Sequence, residues 1–165
     1  MSKRDKNPDE QSAVWTTLAD FALPSVAGNE RRVMELVCVI VQPLKLSAAK
    51  AERLNTAVAE AALNAIEHGN SYRQDLPVQI EVSVSQHALR IRITDQGASG
   101  KQPVAEEPDL NAKLAETQSP RGWGLFLIKS MVDAMRIHES HDRHTIELVF
   151  NLETMNEGGS DADDA

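Results

Sequence analysis

The feature that most constrains this fold is a pair of neighbouring stretches in which apolar and polar residues alternate. They cover residues 78–84 and 89–94, and only residues 85–88 separate them. Successive side chains of a strand point to opposite faces of a sheet, so each stretch would bury one face only. The short connection predicts an antiparallel hairpin, and its apolar face needs other elements to cover it.

Apolar residues at helical spacing predict the helices that would cover this face. The first helix would have Ser25 or Asn29 as its N-cap and run up to Pro43, through apolar residues at 33, 36, 37, 40 and 41. A longer helix would begin at Ser47 and end at Gly69. Both helices precede the hairpin along the chain.

A third helix and three further strands complete the predicted set. Apolar spacing predicts the helix over residues 122–135. Residues 13–23 would form a first strand, and the closing strands would lie around Ile137 and over residues 145–150, with a turn at 142–143. This order does not alternate strand and helix. It predicts an α+β two-layer sandwich, with a mixed, mainly antiparallel sheet and its helices on one face.

The length of 165 residues indicates one domain, which we assign to residues 13–152. Residues 1–12 are polar and are expected to be mobile. The polar, proline-containing stretch of about 98–120 is expected to form a lid, with a short helix over 109–117. Residues 153–165 are predicted to be a disordered acidic tail.

Charge and hydropathy exclude several classes of partner. The net charge is −8, and five acidic residues lie in the tail, which has no Lys or Arg. The chain therefore lacks the basic character of a nucleic-acid-binding surface, and no nucleic-acid partner is expected. No apolar run approaches the roughly 20 residues of a membrane span, and the N-terminus does not resemble a secretory signal. We expect a cytoplasmic protein with no membrane partner.

The long helix carries polar residues on one face. Glu60, Asn64 and His68 recur at spacing four, so they line up along the helix. The adjoining apolar stripe is formed by Leu54, Val58, Ala61 and Ala65. A carboxylate and an amide one turn apart can hold a hydrated divalent cation or orient a hydroxyl group. A polar stripe that is merely solvated is the alternative.

A second motif, Asp95-Gln96-Gly97, follows the predicted hairpin. A carboxylate at a strand end can accept a hydrogen bond from an exocyclic amino group, and the glycine lets a flat ring approach the backbone. An ordinary Asp-x-Gly turn is the alternative.

A third motif leads into the last helix, where Arg121, Gly122, Gly124 and Leu125 surround a tryptophan. Glycines at a helix N-terminus allow backbone N–H groups to face phosphate oxygens. A plain loop-to-helix turn would have the same residues. The pattern is not a P-loop, since no Gly-Lys-Ser/Thr follows, and no dinucleotide fingerprint follows a leading strand.

The order of the three motifs resembles the Bergerat-fold ATP-binding superfamily, which gyrase, mismatch-repair and histidine-kinase ATPase domains share. Within it, residues 60–69 and 121–128 are similar to the anti-sigma-factor serine/threonine kinases of bacterial partner-switching systems. The likeness covers roughly residues 14–151. One departure is Gly100, which follows Gly97 one residue later than the common spacing.

The resemblance implies specific roles on the first two motifs. Asn64 would ligate a Mg²⁺ ion that bridges the ATP phosphates, and Glu60 would be the general base toward an acceptor hydroxyl. Asp95 would accept a hydrogen bond from adenine N6, while Gly97 makes room for the ring.

It also implies roles around the third motif and on the last strand. Gly122 and Gly124 would present N–H groups to the phosphates, and Leu125 belongs to the same cofactor-binding motif. Arg121 could add charge at the γ-phosphate, although a solvated loop arginine is equally consistent. Thr145 matches a threonine often placed near adenine, but its β-propensity explains it as well.

The function implied is a protein serine/threonine kinase that phosphorylates an anti-sigma-factor antagonist of the STAS type with Mg-ATP. The resemblance also implies that the protein binds a sigma factor and assembles as a homodimer. The alternative is an ATP-binding regulatory protein that binds partners without catalysis.

Overall fold

The computed structural model describes residues 13–97 and 120–153, and within them the chain forms five strands and three helices. The elements are β1 (Thr16–Pro24), α1 (Asn29–Val41), α2 (Ala48–Asn64), β2 (Pro77–Val84), β3 (Ala88–Asp95), α3 (Pro120–Met131), β4 (Ala134–Ser140) and β5 (Arg143–Asn151). A 3₁₀ turn at Gln42–Leu44 follows α1, and a π-helical turn at Ala65–Gly69 extends α2. In these two ranges, no helix is long and apolar enough to cross a membrane.

Several predictions fall on other parts of the chain. The N-terminal segment 1–12, the lid with its helix 109–117 and Gly100, and the acidic tail after Glu153 lie outside the described residues.

The sheet has the strand order β1-β2-β3-β5-β4, and every described pair of neighbours is antiparallel. The predicted hairpin is confirmed, since β2 pairs with β3 and Ile80 lies opposite Ile93. The mainly antiparallel α+β sandwich is also confirmed. The sequence allowed for a mixed sheet, but no parallel pair occurs among the described strands.

The hydrophobic core lies between one face of the sheet and the helices. The sheet residues buried there are Val78, Ile80, Val82, Leu89, Ile91, Ile93, Ile146, Leu148 and Phe150. The helices contribute Val33, Val37, Leu54, Val58, Ala61, Leu125 and Ile128 to the same cluster. The apolar residues of the alternating stretches are therefore the ones that face the helices.

The face turned away from the helices, here called the outer face, carries a network of charged side chains. Glu147 is only 3% exposed, yet its carboxylate accepts hydrogen bonds from Arg92 at 2.8 Å and Arg136 at 3.1 Å. His138 Nε2 lies 3.5 Å from the same carboxylate. Burial alone would raise the pKa of Glu147, but the hydrogen bonds from the two arginines bring that pKa below its ordinary value. The buried charge is therefore well compensated.

The predicted cap of α1 is wrong, because Ser25 and Asn29 have other partners. Gly28, in a left-handed conformation, precedes the helix without a side-chain cap, and its N–H donates to Glu30 at 2.9 Å. The Ser25 hydroxyl donates to the carbonyl of Leu76, and the Asn29 amide donates to the carbonyl of Pro24. Both side chains fix the end of β1 instead.

The predicted limits of the long helical run, which consists of α2 and the π-helical turn, are confirmed, although the reason for the glycine at its end differs. Ser47 is the N-cap, and its hydroxyl accepts the N–H of Lys50 at 3.2 Å. The helical run ends at Gly69, which does not adopt a left-handed conformation. A β-carbon at Gly69 would lie 2.2 Å from Cγ of Asp95. The glycine is needed because the helix end packs directly against that carboxylate.

Two boundaries in the last third of the chain differ from the prediction. Helix α3 ends at Met131, and Met135 lies in β4, where it pairs with Leu148. The closing turn comes one residue earlier than expected, because Arg143 already belongs to β5 and pairs with Ser140. A hydrophobic residue that suits both a helix and a strand cannot mark the boundary between them.

Candidate functional site

The first turns of α3 lie against the polar face of α2. A β-carbon at Gly124 would lie 3.5 Å from both terminal atoms of the Asn64 amide and 3.6 Å from Glu60 Oε2. These are ordinary contact distances, so a side chain here would cover both polar groups. The structure thus brings two of the three sequence motifs together, and glycine keeps their contact open.

Asn64 carries an unpaired polar atom at this contact. The residue is 7% exposed, and its Nδ2 has no hydrogen-bond partner among the described residues. Buried polar groups are nearly always paired, so an exception calls for an explanation. A half-turn of the amide exchanges its oxygen and nitrogen, so the group can offer either one to a ligand.

The donor set at Asn64 fits a magnesium ion that arrives with phosphates. A neutral amide oxygen is a suitable Mg²⁺ ligand, and Mg²⁺ in phosphate sites takes its other ligands mainly from phosphate and water. Residues 13–97 and 120–153 contain no group of three His, Cys, Asp or Glu side chains that would hold a metal without such help.

Glu60 lies one turn before Asn64 and is partly buried. Burial raises the pKa of its carboxyl group above the ordinary value. No side chain in the described ranges forms a salt bridge with it. A carboxylate with a raised pKa is a better proton acceptor near neutral pH, which is the property of a general base.

The second motif lies at the end of β3, where Asp95 is buried and its Oδ1 accepts the N–H of Gly97 at 2.7 Å. Gly97 has a φ of +66°, in the left-handed region that favours glycine. A β-carbon there would also lie 3.3 Å from the carbonyl oxygen of Asp142. Because Asp95 packs against Gly69, this motif meets the same helical run that carries Glu60 and Asn64.

Asn70 holds this arrangement in place, although no role was predicted for it. It is completely buried, its Oδ1 accepts the N–H of Gln96 at 2.7 Å, and its Nδ2 donates to Ser25 Oγ at 2.9 Å and to the carbonyl of Leu76 at 3.0 Å. One amide therefore ties together the end of β1, the start of β2 and the Asp95 turn. An asparagine after a glycine is common in turns, so the sequence carries no signal of this role.

Thr145 and Leu125, two site residues predicted from the sequence, do not turn their side chains toward the polar groups of the candidate site. The hydroxyl of Thr145 lies 2.8 Å from that of Thr94, on the outer face, whereas Asp95 points to the helix side. The residue opposite Asp95 on β5 is His144. Leu125 is fully buried in the hydrophobic core.

The backbone of Arg121 and Gly122 lies in the first turn of α3. The N–H groups of a first turn have no acceptor within the helix, which leaves them available to an anion. Gly124 lies after this first turn. Its closeness to Asn64 is therefore a stronger indication of a role in the site than its backbone N–H group is.

A family model described as the histidine kinase-like ATPase domain matches residues 23–150. The serine-protein kinase RsbW of Listeria innocua is 29% identical over 92 residues, which are 53% of this chain and only 57% of the Listeria protein. The anti-sigma F factor of Clostridium botulinum (strain Eklund 17B) is 25% identical over 132 residues, covering 78% of this chain and 91% of that protein.

A solved structure shows the same fold. The crystal structure of the RsbU and RsbW domains of Rv1364c from Mycobacterium tuberculosis matches with a TM-score of 0.57 at 15% identity. The match covers 81% of this chain and 32% of that one. Since the family model covers most of the chain and the motifs meet in space, the protein belongs to the histidine kinase-like ATPase domain family, among relatives named serine-protein kinase and anti-sigma factor.

Proposed function

We propose that this protein is a serine/threonine protein kinase of a partner-switching system, which transfers phosphate from Mg-ATP to an anti-sigma-factor antagonist of the STAS type. The observation that carries the proposal is the contact of Gly124 with Asn64 and Glu60. It supports a common site for phosphates, metal and base at the junction of α2 and α3. The relatives named as kinases point to the same chemistry.

Nucleotide binding is divided between two points in the C-terminal part of the α2 run. Asn64 would hold Mg²⁺, and the first turn of α3 with Arg121 and Gly122 would receive the phosphates. Where the run ends against Asp95, the Asp95 carboxylate would accept a hydrogen bond from the adenine amino group, and Gly97 would leave room for the ring. Bound Mg²⁺ would offset the negative charge of the phosphates during transfer.

Glu60 accepts the proton of the serine or threonine hydroxyl. Its partial burial supports this role, because burial raises the pKa of the carboxyl group and makes its ionised form a stronger base. The Asn64 amide, one turn away, orients the phosphates rather than the hydroxyl. Alignment and charge compensation are most of what phosphoryl transfer requires from a protein.

The partners follow from the names of the relatives. A relative named anti-sigma F factor supports binding of a sigma factor in addition to the antagonist protein. A homodimer in the cytoplasm completes the proposal.

The decisive experiment compares Glu60→Gln with wild type. The purified proteins are incubated with labelled ATP, Mg²⁺ and a STAS-type antagonist from the same organism. Loss of a general base lowers the rate by about 100-fold or more, while the nucleotide dissociation constant should stay within about twofold. Glu52→Gln, at an exposed glutamate of the same helix, is the matched control and should transfer at the wild-type rate.

Transfer by Glu60→Gln at the wild-type rate would show that Glu60 is not the base. The second candidate function is an ATP-responsive binding protein without catalysis, which the relative named only as an anti-sigma factor favours. In that case wild type binds ATP and a partner but transfers no label.

A further inference from the structure

His144 lies beside Asp95, one residue before Thr145, which the family resemblance had placed near adenine. Three residues form one row across three strands, because Asp95 of β3 pairs with His144 of β5, which pairs with Glu139 of β4. His144 Nδ1 lies 3.3 Å from Asp95 Oδ1, and Nε2 lies 3.1 Å from Glu139 Oε1. The imidazole ring therefore bridges two carboxylates.

This ring is well shielded from water. The side chain of His144 is 14% exposed and that of Asp95 is 7% exposed, whereas Glu139 is 43% exposed. Nδ1 is buried, and its contact with Asp95 is not aligned as a hydrogen bond in the described structure. It is a short contact between a ring nitrogen and a carboxylate oxygen at low solvent access, where charge has a large effect.

The arrangement suits the protonated ring. A neutral imidazole has one N–H group, so one of its nitrogens would turn a lone pair toward a carboxylate. An imidazolium has two N–H groups and can face both Asp95 and Glu139 with a donor. These two carboxylates, from the strands on either side, are the charged side chains within ion-pair distance of the ring among the described residues.

We propose that His144 is a positioning residue for adenine recognition, which holds the Asp95 carboxylate ionised and in one orientation from its place between Asp95 and Glu139. The inference rests on the proposed function, in which Asp95 accepts a hydrogen bond from the adenine amino group. A positive charge beside Asp95 compensates the loss of water around the carboxylate when a base covers it. His144 thereby sets the preference for a base that carries an amino group.

The test uses ATP and ITP, which differ in that ITP has a carbonyl oxygen in place of the amino group. Dissociation constants are measured by calorimetry for wild type, His144→Gln and the control His141→Gln, at an exposed histidine of the neighbouring turn. His144→Gln should bind ATP about tenfold more weakly, as expected for one lost charge-assisted contact, with ITP affinity changed by less than about twofold. His141→Gln should match wild type.

The preference for ATP over ITP is itself a readout that a purely structural role would not change, because general damage to the site would weaken binding of both nucleotides alike.

An unchanged ATP-to-ITP preference in His144→Gln overturns the inference and leaves the proposed function intact. A wild type that binds ATP and ITP equally overturns the adenine role of Asp95 and the inference with it, and a wild type that binds neither overturns the proposed function. If His144→Gln does not fold, Glu139→Gln serves instead. It should lower the preference by a smaller factor, and an unchanged preference there overturns the inference.

Discussion

Two buried asparagines at the end of α2 have opposite surroundings. Asn70 uses both ends of its amide, with hydrogen bonds to Gln96, Ser25 and Leu76. Asn64, at the last position of α2, has a buried Nδ2 with no hydrogen-bond partner in the described ranges. The same residue type therefore completes the fold at one position and is left unpaired at the contact between α2 and α3. Both amides are buried. What distinguishes the candidate site at Asn64 from the structural position of Asn70 is whether the described residues supply hydrogen-bond partners for the amide.

Two glutamates, one buried and one partly buried, show the same contrast. Glu147 on the outer face is bonded by Arg92 and Arg136, and its pKa is lowered. Among the described side chains Glu60 has no such partners, and burial raises its pKa. Arginines keep Glu147 ionised, whereas no described arginine is paired with Glu60.

The largest expected effect on stability is that of Asn70→Ala. The substitution leaves the buried N–H of Gln96 without its acceptor and removes the hydrogen bonds that the amide donates to Ser25 and Leu76, so we expect the free energy of unfolding to fall by about 3 kcal/mol. Urea denaturation measures it. Gln74→Ala, at an exposed residue of the following loop, is the control and should be neutral. A loss under about 1 kcal/mol would mean that water replaces the amide.

Glu147→Gln should have an intermediate effect that depends on pH. A carboxyl group whose pKa is lowered by folding stabilises the protein above its ordinary pKa of 4.5, and this contribution disappears as the pH falls through the lowered value. At neutral pH we expect a loss of about 1 kcal/mol, since both arginines are partly exposed and can be hydrated. The difference from wild type should be constant from neutral pH down to about 5 and shrink in more acidic solution. A difference that grew in acid would contradict the assigned sign.

The smallest effect on stability is expected for Asn64→Ala. Removal of an amide with an unpaired donor should change the free energy of unfolding by less than about 0.5 kcal/mol. The increase in melting temperature that Mg-ATP gives to wild type should nevertheless be absent, because a ligand stabilises only a protein that binds it. Destabilisation as large as that of Asn70→Ala would remove the contrast between the two asparagines.

The sequence was sufficient where the pattern is local. Alternation gave the β2–β3 hairpin, and Ser47 and Gly69 marked the limits of the long helical run. It failed where a side chain serves a distant segment, as with the α1 cap, because Ser25 bonds to the start of β2. No local pattern reports such a use.

The candidate site divides in the same way. Glu60 and Asn64 could be named from helical spacing, and their closeness to Gly124 is a tertiary fact that the structure adds. Thr145 was chosen by its likeness to a family position, although strand alternation turns it away from Asp95 and toward Thr94. A shift of one residue along a strand exchanges the two faces of a sheet. The residue facing Asp95 is therefore its neighbour, His144.

Because Gly69 has no side chain, the helical run that carries Asn64 is in direct contact with Asp95, and this contact couples the two parts of the candidate site mechanically. With no β-carbon between the helix backbone and Asp95, any displacement of this helix end would press on the carboxylate at once. Closely packed groups transmit strain rather than absorb it. We therefore expect the span from the amide of Asn64 to the carboxylate of Asp95 to stay constant, so that a ligand that reaches both must have the matching length.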